Sequence, residues 1–140
     1  MFYSLSIRAS LTSEPANKRA TSSGDSLGGD SRKVLAGFPE EVRGSLGFAL
    51  YELQLGRKPS VATRRMESVG PGVYELKDAD ERTWYRVIYL SKLDDVIYVL
   101  HCFEKQSRKT DRRDLNIAKE RFSRVMQRIH DRRKHASSTQ

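Results

Sequence analysis

The apolar positions of residues 34–55 recur at helical spacing, and Gly56 follows at the place where a helix would end. Pro39 near the start, with acidic residues directly after it, is typical of a helix N-terminus. A break near Gly37 would divide the stretch into two helices. The repeating apolar positions are Val42, Leu46, Ala49, Leu50 and Leu53.

Three β segments follow, at residues 73–77, 83–90 and 96–103, each rich in β-branched and aromatic side chains. The links at 78–82 and 91–95 are short and polar, which predicts antiparallel hairpins. Residues 57–70 are predicted to be a connection without regular structure.

A second helical pattern occupies the C-terminal part of the chain. Thr110 is the predicted N-cap, with Asp111 and Asp114 in the first turn. The pattern ends at about Asp131. Its apolar stripe is formed by Leu115, Ala118, Phe122, Val125, Met126 and Ile129.

The order of elements predicts an α+β domain over residues 29–130, with the helices packed on one face of an antiparallel sheet of three to four strands. Residues 1–28 are predicted to be a disordered leader or a weak first strand, because only the first few alternate in hydrophobicity. Residues 131–140 are predicted to be a disordered basic tail.

Composition narrows the class of protein. Cys102 is the single cysteine of the 140 residues, so no internal disulfide can form and a reducing compartment is expected. Its place in an apolar run predicts a buried thiol rather than a nucleophile. No stretch approaches about 18 consecutive apolar residues, so we expect no membrane association and a cytoplasmic location.

The net charge of +8 has an uneven distribution along the chain. Residues 105–140 contain 12 Lys and Arg against 4 Asp and Glu, whereas residues 1–104 contain 14 of each. The whole excess therefore begins at Lys105, where the last predicted strand ends. Such a concentrated field indicates a polyanionic partner, most simply nucleic acid.

Arg86 is a cation within a strand that should be apolar, since it alternates with Trp84, Ile88 and Leu90 on one face. A guanidinium in these surroundings needs a partner. The partner is either a carboxylate such as Glu75, in a structural ion pair, or a ligand phosphate.

Two other strand residues allow two interpretations each. Lys77 closes its strand and is either a solvated edge residue or a phosphate ligand. His101 is predicted to share a face with Ile97, Val99 and Phe103. It is either a buried core histidine or a general acid or base.

A run of cations joins the last strand to the last helix, and it contains Lys105, Arg108 and Lys109. A helix N-terminus binds anions, so position and charge agree with phosphate binding there. No nucleotide-binding or metal-binding motif is present, so neither a cofactor nor a metal is expected. Further cations along the helix are Arg112, Arg113, Lys119, Arg121, Arg124 and Arg128.

Several blocks together resemble the RelE/ParE toxin superfamily, in particular its phage-derived HigB-like branch. They are G-P-G-V-Y-E-L (70–76), W-Y-R-V-I-Y-L (84–90) and V-I-Y-V-L-H-C-F-E-K-Q-S-R-K-T (96–110), with further blocks at 29–43, 48–56 and 114–121. The resemblance covers roughly residues 29–125. It implies a RelE-like microdomain, in which an N-terminal helix or helical hairpin packs on a twisted antiparallel sheet and a C-terminal helix follows.

The same resemblance implies the toxin of a type II toxin–antitoxin system. Its usual activity is metal-independent, ribosome-dependent cleavage of mRNA, which inhibits translation, and its usual partner is a helix-turn-helix antitoxin encoded beside it. The partners on the ribosome would be mRNA and ribosomal RNA. By resemblance the catalytic candidates are Arg86, Lys77, His101 and Lys105, and the RNA-binding candidates are Arg108, Lys109, Arg112 and Arg113.

The chain departs from the superfamily pattern at two places. Glu75 stands where RelE has a lysine, and residues 108–125 contain no Tyr or His. Two alternatives to the endoribonuclease therefore stay open. One is a ParE-like poison of DNA gyrase, and the other is a catalytically inactive, phage-derived module that binds RNA or protein.

Overall fold

The computed structural model describes residues 3–6, 30–93, 96–107 and 110–138. The fold is α+β, as predicted. In chain order the elements are β1 (Tyr3–Ser6), α1 (Asp30–Ala36), α2 (Glu40–Gln54), β2 (Ala62–Arg65), β3 (Val73–Ala79), β4 (Trp84–Leu93), β5 (Val96–Lys105) and α3 (Arg112–Ser138).

The described strands form one antiparallel sheet in the order β1-β5-β4-β3-β2. It has five strands, where three to four were predicted. The three predicted strands are its centre and are confirmed, with β4 and β5 extending past Leu90 and Phe103. β1 joins the edge of the sheet beside β5, at the position of the predicted weak first strand.

Helices cover both faces of the sheet, so the prediction of one covered face is wrong. Because strand side chains alternate between faces, β4 sends Val87 and Tyr89 to one side, and Ile88 and Leu90 to the other. The first pair packs with Leu46 of α2, in a set that we call the α2 cluster. The second pair packs with the helix α3, in the α3 cluster.

The helical stretch of residues 34–55 is divided into two helices near Gly37, as predicted. The Gly37 N–H donates to the Lys33 and Val34 carbonyls and ends α1. Pro39 precedes α2 and has no N–H with which to continue a helix. At the other end of α2, Gly56 adopts φ 77° and serves as the predicted stop.

Strand β2 lies within the segment predicted to be an irregular connection. All four of its residues are exposed, and it pairs with β3 at the edge of the sheet. The sequence A-T-R-R has no alternation of apolar and polar positions, because neither face of this strand is buried. Periodicity therefore gives no signal for it.

The start and end of α3 also differ from the prediction. The helix begins at Arg112, and the Leu115 N–H donates to the Asp111 carbonyl at 3.0 Å, so the cap position falls on Asp111 rather than on Thr110. It continues to Ser138, past the predicted end at Asp131. Residues 131–136 are exposed, so the apolar stripe that guided the prediction is absent there. None of the described helices is long and apolar enough to cross a membrane.

Gly70 is a close contact between the turn before β3 and α3. A Cβ atom at this position would lie 2.5 Å from the Phe122 ring. We expect Gly70→Ala to lower the free energy of unfolding by about 1–3 kcal/mol, because the ring must move out of a packed cluster. Urea denaturation followed by circular dichroism measures the change.

Gly47→Ala is the matched control, since a Cβ at Gly47 meets nothing within 4 Å and the residue lies inside α2. This variant should gain up to about 1 kcal/mol from helix propensity. Equal changes in the free energy of unfolding of the two variants would show that the Phe122 ring does not prevent a larger side chain at residue 70.

Candidate functional site

Arg86 forms a fully buried ion pair with Glu75. Its Nη1 lies 3.4 Å from Glu75 Oε2, and both side chains have no exposed surface. The Thr110 hydroxyl joins the pair by accepting a hydrogen bond from Arg86 Nη1 and donating one to Glu75 Oε2 at 3.1 Å. Of the two partners predicted for Arg86, a carboxylate and a ligand phosphate, the structure contains the carboxylate. In this arrangement the guanidinium does not contact solvent.

A second guanidinium lies beside the pair. Arg64 Nη2 lies 3.7 Å from Glu75 Oε1, and the Arg64 side chain is about half exposed. Glu75 thus lies between two arginines, and the cluster carries an excess of one positive charge. Within the described residues, Arg86 Nε and Glu75 Oε1 have no hydrogen-bond partner.

The linker between β5 and α3 is attached to this cluster. Arg86 Nη2 donates to the Ser107 carbonyl at 3.4 Å, and Thr110 is buried against the pair. Lys105 Nζ forms an ion pair with Asp111 Oδ2 at 2.9 Å, and only 9% of the Lys105 side chain is exposed. These contacts hold both ends of the linker against the sheet.

His101 lies on the α3 side of the sheet, and the prediction that it shares a face with Ile97 and Val99 is wrong. The pairing of β4 with β5 shifts between Ile88 and Tyr89, which is a β-bulge. Ile97 and Val99 belong to the α2 cluster, whereas His101 stacks on Phe103 of the α3 cluster at 4.8 Å between ring centroids.

The imidazole of His101 has a partner on each nitrogen. Nε2 lies 2.9 Å from Asp114 Oδ1, and Nδ1 lies 3.3 Å from Arg121 Nη1. A carboxylate only accepts and a guanidinium only donates, so Nε2 carries the proton and Nδ1 accepts. Burial lowers the pKa of His101, although the hydrogen bond to Asp114 opposes the shift. The neutral ring is a buried connector between β5 and α3.

Arg121 was predicted to be part of the surface field but is buried. Its Nη1 donates to the Leu100 carbonyl at 2.9 Å, and its Nη2 forms an ion pair with Asp30 Oδ2 at 3.0 Å. Ser31 Oγ donates to the same Leu100 carbonyl. Burial acts to raise the pKa of Asp30, but the hydrogen bond and charge of Arg121 lower it overall. Arg121 thus binds α1, the bulge and α3 together.

Lys77 lies apart from these two networks although it pairs with Arg86 in the sheet register. It is half-buried, and its Nζ lies 6.0 Å from the centre of the Trp84 ring. Of the four catalytic candidates, three are therefore buried or ion-paired, and Lys77 lines an open groove beside α2.

The predicted RNA-binding residues divide into two pairs. Arg112 and Arg113 are exposed in the first turn of α3. Arg108 and Lys109 lie outside the described residues, and their role stays a prediction.

Cys102 is buried in the α2 cluster, and burial raises the pKa of its thiol. The thiol is therefore protonated at neutral pH, as expected for a core residue. Among the described residues, no three His, Cys, Asp or Glu side chains are placed to hold a metal ion.

The stability contribution of the Glu75–Arg86 pair can be separated by a double-mutant cycle. Glu75→Leu should destabilise the fold by about 3–5 kcal/mol, because it leaves the Arg86 charge buried without compensation. Adding Arg86→Met should restore most of that loss. Urea unfolding of the wild type, both single variants and the double variant gives the coupling. Additive losses would show that the two side chains do not act as a pair.

The lowered pKa of His101 predicts a pH dependence of stability. Below its ordinary value of 6.5 the unfolded chain binds a proton that the folded chain does not. The free energy of unfolding should therefore be highest above about pH 6.5 and fall as the pH decreases from there toward 5. His101→Gln should flatten this slope in urea titrations, whereas His130→Gln, at an exposed position, should leave it unchanged. An unchanged slope in His101→Gln would assign the titration to another group.

Residues 33–123 match the model of the family described as phage-derived protein Gp49-like (DUF891). No curated protein and no solved structure matches the chain. The matched segment runs from α1 to the middle of α3 and covers well over half of the sequence. The chain therefore belongs to the Gp49-like phage-derived protein family, which is part of the RelE/ParE-like toxin superfamily.

Proposed function

We propose that this chain is the toxin of a type II toxin–antitoxin pair and that it inhibits translation by binding RNA on the ribosome through the start of α3. Membership in the Gp49-like family supports the toxin. The observation that carries the RNA site is the exposed pair Arg112 and Arg113 in the first helical turn. The partners would be mRNA, ribosomal RNA and a helix-turn-helix antitoxin, in the cytoplasm.

The position of the arginine pair is unfavourable for the free protein. The N-terminal end of a helix carries a partial positive charge, so a cation there costs about 0.3–1 kcal/mol. A phosphate bound to the N–H groups at the start of the helix would carry negative charge, so the nearby arginines would then be attracted rather than repelled. Arg112 and Arg113 are thus better explained by an anionic ligand than by stability.

The charge distribution supports the same ligand. The region from Lys105 onward holds the entire excess of +8. Several of its cations are already paired, including Lys105 with Asp111 and Arg121 with Asp30. Binding to a polyanion would therefore depend on the exposed cations, among them Arg112 and Arg113 at the start of α3, and it should weaken as salt rises.

Cleavage of mRNA is the finer proposal. A base would take the proton of the ribose 2′-OH, and the 2′-oxygen would attack the adjacent phosphate while cations stabilise the developing charge. The bond from phosphorus to the 5′-oxygen of the next nucleotide would break, and an acid would protonate that oxygen, leaving a 2′,3′-cyclic phosphate. Lys77 is the most accessible of the four candidates Lys77, Arg86, His101 and Lys105. Participation of Arg86 would require the linker at Ser107 and Thr110 to move away from its guanidinium.

The burial of Arg86 and the pairing of both His101 nitrogens favour a second candidate function. In that case the protein binds RNA or a protein partner without cleaving RNA. The two candidates share the RNA site and differ in the products found in the cell.

We expect expression of the wild type to arrest growth and the neighbouring antitoxin to relieve the arrest. Arg112→Ser/Arg113→Ser should reduce the arrest and lower the salt slope of RNA binding by about 2, since two phosphate contacts are lost. The control is Arg132→Ser/Arg133→Ser, which removes the same charge about 30 Å further along α3. Equal effects of the two doubles would overturn a site at the helix start.

Mapping of transcript ends during the arrest separates cleavage from binding. New 5′ ends within translated messages support the endoribonuclease, and arrest with intact messages supports the binding module. DNA-damage signalling in place of both would contradict an RNA target.

A further inference from the structure

An open groove of about 860 Å³ runs between α2 and the edge of the sheet formed by β2 and β3. Gly44 and Phe48 line it from the helix, Ala62 from β2, and Lys77 and Trp84 from the central strands. None of the residues that line it belongs to α3 or to the ion pair of Arg86 with Glu75.

No contact among the described residues accounts for the glycines of α2. A Cβ atom at Gly44 or at Gly47 would meet nothing within 4 Å, so neither glycine makes room for a neighbouring element. Each costs about 1 kcal/mol relative to alanine in a helix. A glycine on an open helix surface lets another backbone approach closely.

The same surface of α2 exposes large apolar side chains. Phe48 is 53% exposed, Tyr51 41% and Leu55 37%, and their spacing continues the row of Gly44. The rings of Phe48 and Tyr51 lie 6.2 Å apart. Three adjacent exposed apolar residues beside a groove are typical of an interaction site.

The charge of the groove is opposite to that of the chain. Three carboxylates line it, from Glu40, Glu41 and Asp78, against the single ammonium of Lys77. Glu40 and Glu41 also stabilise the start of α2, but Asp78 belongs to β3 and has no such role. This excess of carboxylates attracts cationic ligands to the groove.

We propose that this groove is the docking site for a cationic amphipathic helix of a partner protein. The apolar side of the partner helix packs on Phe48, Tyr51 and Leu55, and its backbone crosses α2 at Gly44. Its Lys or Arg residues pair with Glu40 and Glu41. The row from Gly44 to Leu55 spans about 17 Å of helix, which is three turns of the partner.

Trp84 provides the measurement, because it is the single tryptophan of the chain and lines the groove. The probe is a synthetic helix of about 14 residues with Leu on one side and Lys on the other, and its counterpart replaces Lys with Glu. We expect the Lys peptide to change Trp84 fluorescence with saturation. The net charge of +8 disfavours unspecific attraction of this probe.

Variants of the groove test the assignment. Gly44→Leu fills it and improves helix propensity, so it should fold and weaken binding at least tenfold. Glu40→Gln/Glu41→Gln should weaken binding similarly, and the charge-matched control Glu67→Gln/Glu104→Gln, at exposed positions elsewhere, should bind like the wild type. No response to the Lys peptide, or an equal response to the Glu peptide, would overturn the proposal.

Other occupants give distinct results that would each overturn it. An RNA oligonucleotide that changes Trp84 fluorescence in the wild type but not in Gly44→Leu would make the groove a nucleic-acid site. If Arg132→Ser/Arg133→Ser changes Trp84 fluorescence in the protein without added peptide, the occupant of the groove would be the end of α3 of the same chain. A dimer in sedimentation that Gly44→Leu dissociates would assign it to a second copy.

Discussion

The structure depends on a carboxylate and a guanidinium held together without access to water. Glu75 belongs to β3, Arg86 to β4, and the Thr110 hydroxyl that completes the pair comes from the linker before α3. Charges removed from water must be compensated by geometry and hydrogen bonds. The position at which α3 begins is therefore set by the ion pair as well as by apolar packing, since Thr110 must reach both partners.

Strong periodicity identified the elements that build the core. The division of residues 34–55, the three central strands and the apolar stripe of α3 were all predictable because each buries one face. β2 was not, because it has no buried face and so no pattern. Thr110 was a reasonable N-cap by residue type, but a tertiary contact with Arg86 takes its hydroxyl, and Asp111 occupies the cap position instead.

The sequence identified several residues of the candidate site, but it could not decide what each of them does. Sequence placed Arg86 among apolar neighbours and named Glu75 as its structural partner, but it could not choose between that pair and a phosphate. The face of His101 was misassigned because strict alternation has no place for a bulge. Arg121 did have a signal, since it lies three residues after Ala118 and four before Val125, on the buried stripe of α3.

The polar contacts that attach α3 to the sheet differ in how strongly they depend on pH and salt. The Glu75–Arg86 pair is enclosed, whereas the connection through His101 contains an imidazole whose pKa is lowered by burial, and the Lys105–Asp111 pair has an exposed carboxylate. The attachment of α3 to the sheet therefore combines a buried ion pair that solvent does not reach with the His101 contact, which responds to pH, and the Lys105–Asp111 pair, which responds to salt.

The edge strand β2 has a consequence for the protein at high concentration. An exposed sheet edge offers unpaired backbone groups to any other strand, and a second copy presents the same edge. Here the edge is only four residues long and ends in Arg64 and Arg65, both exposed. Two copies approaching edge to edge at β2 would bring four guanidinium groups together, so electrostatic repulsion opposes pairing of two sheets through this edge.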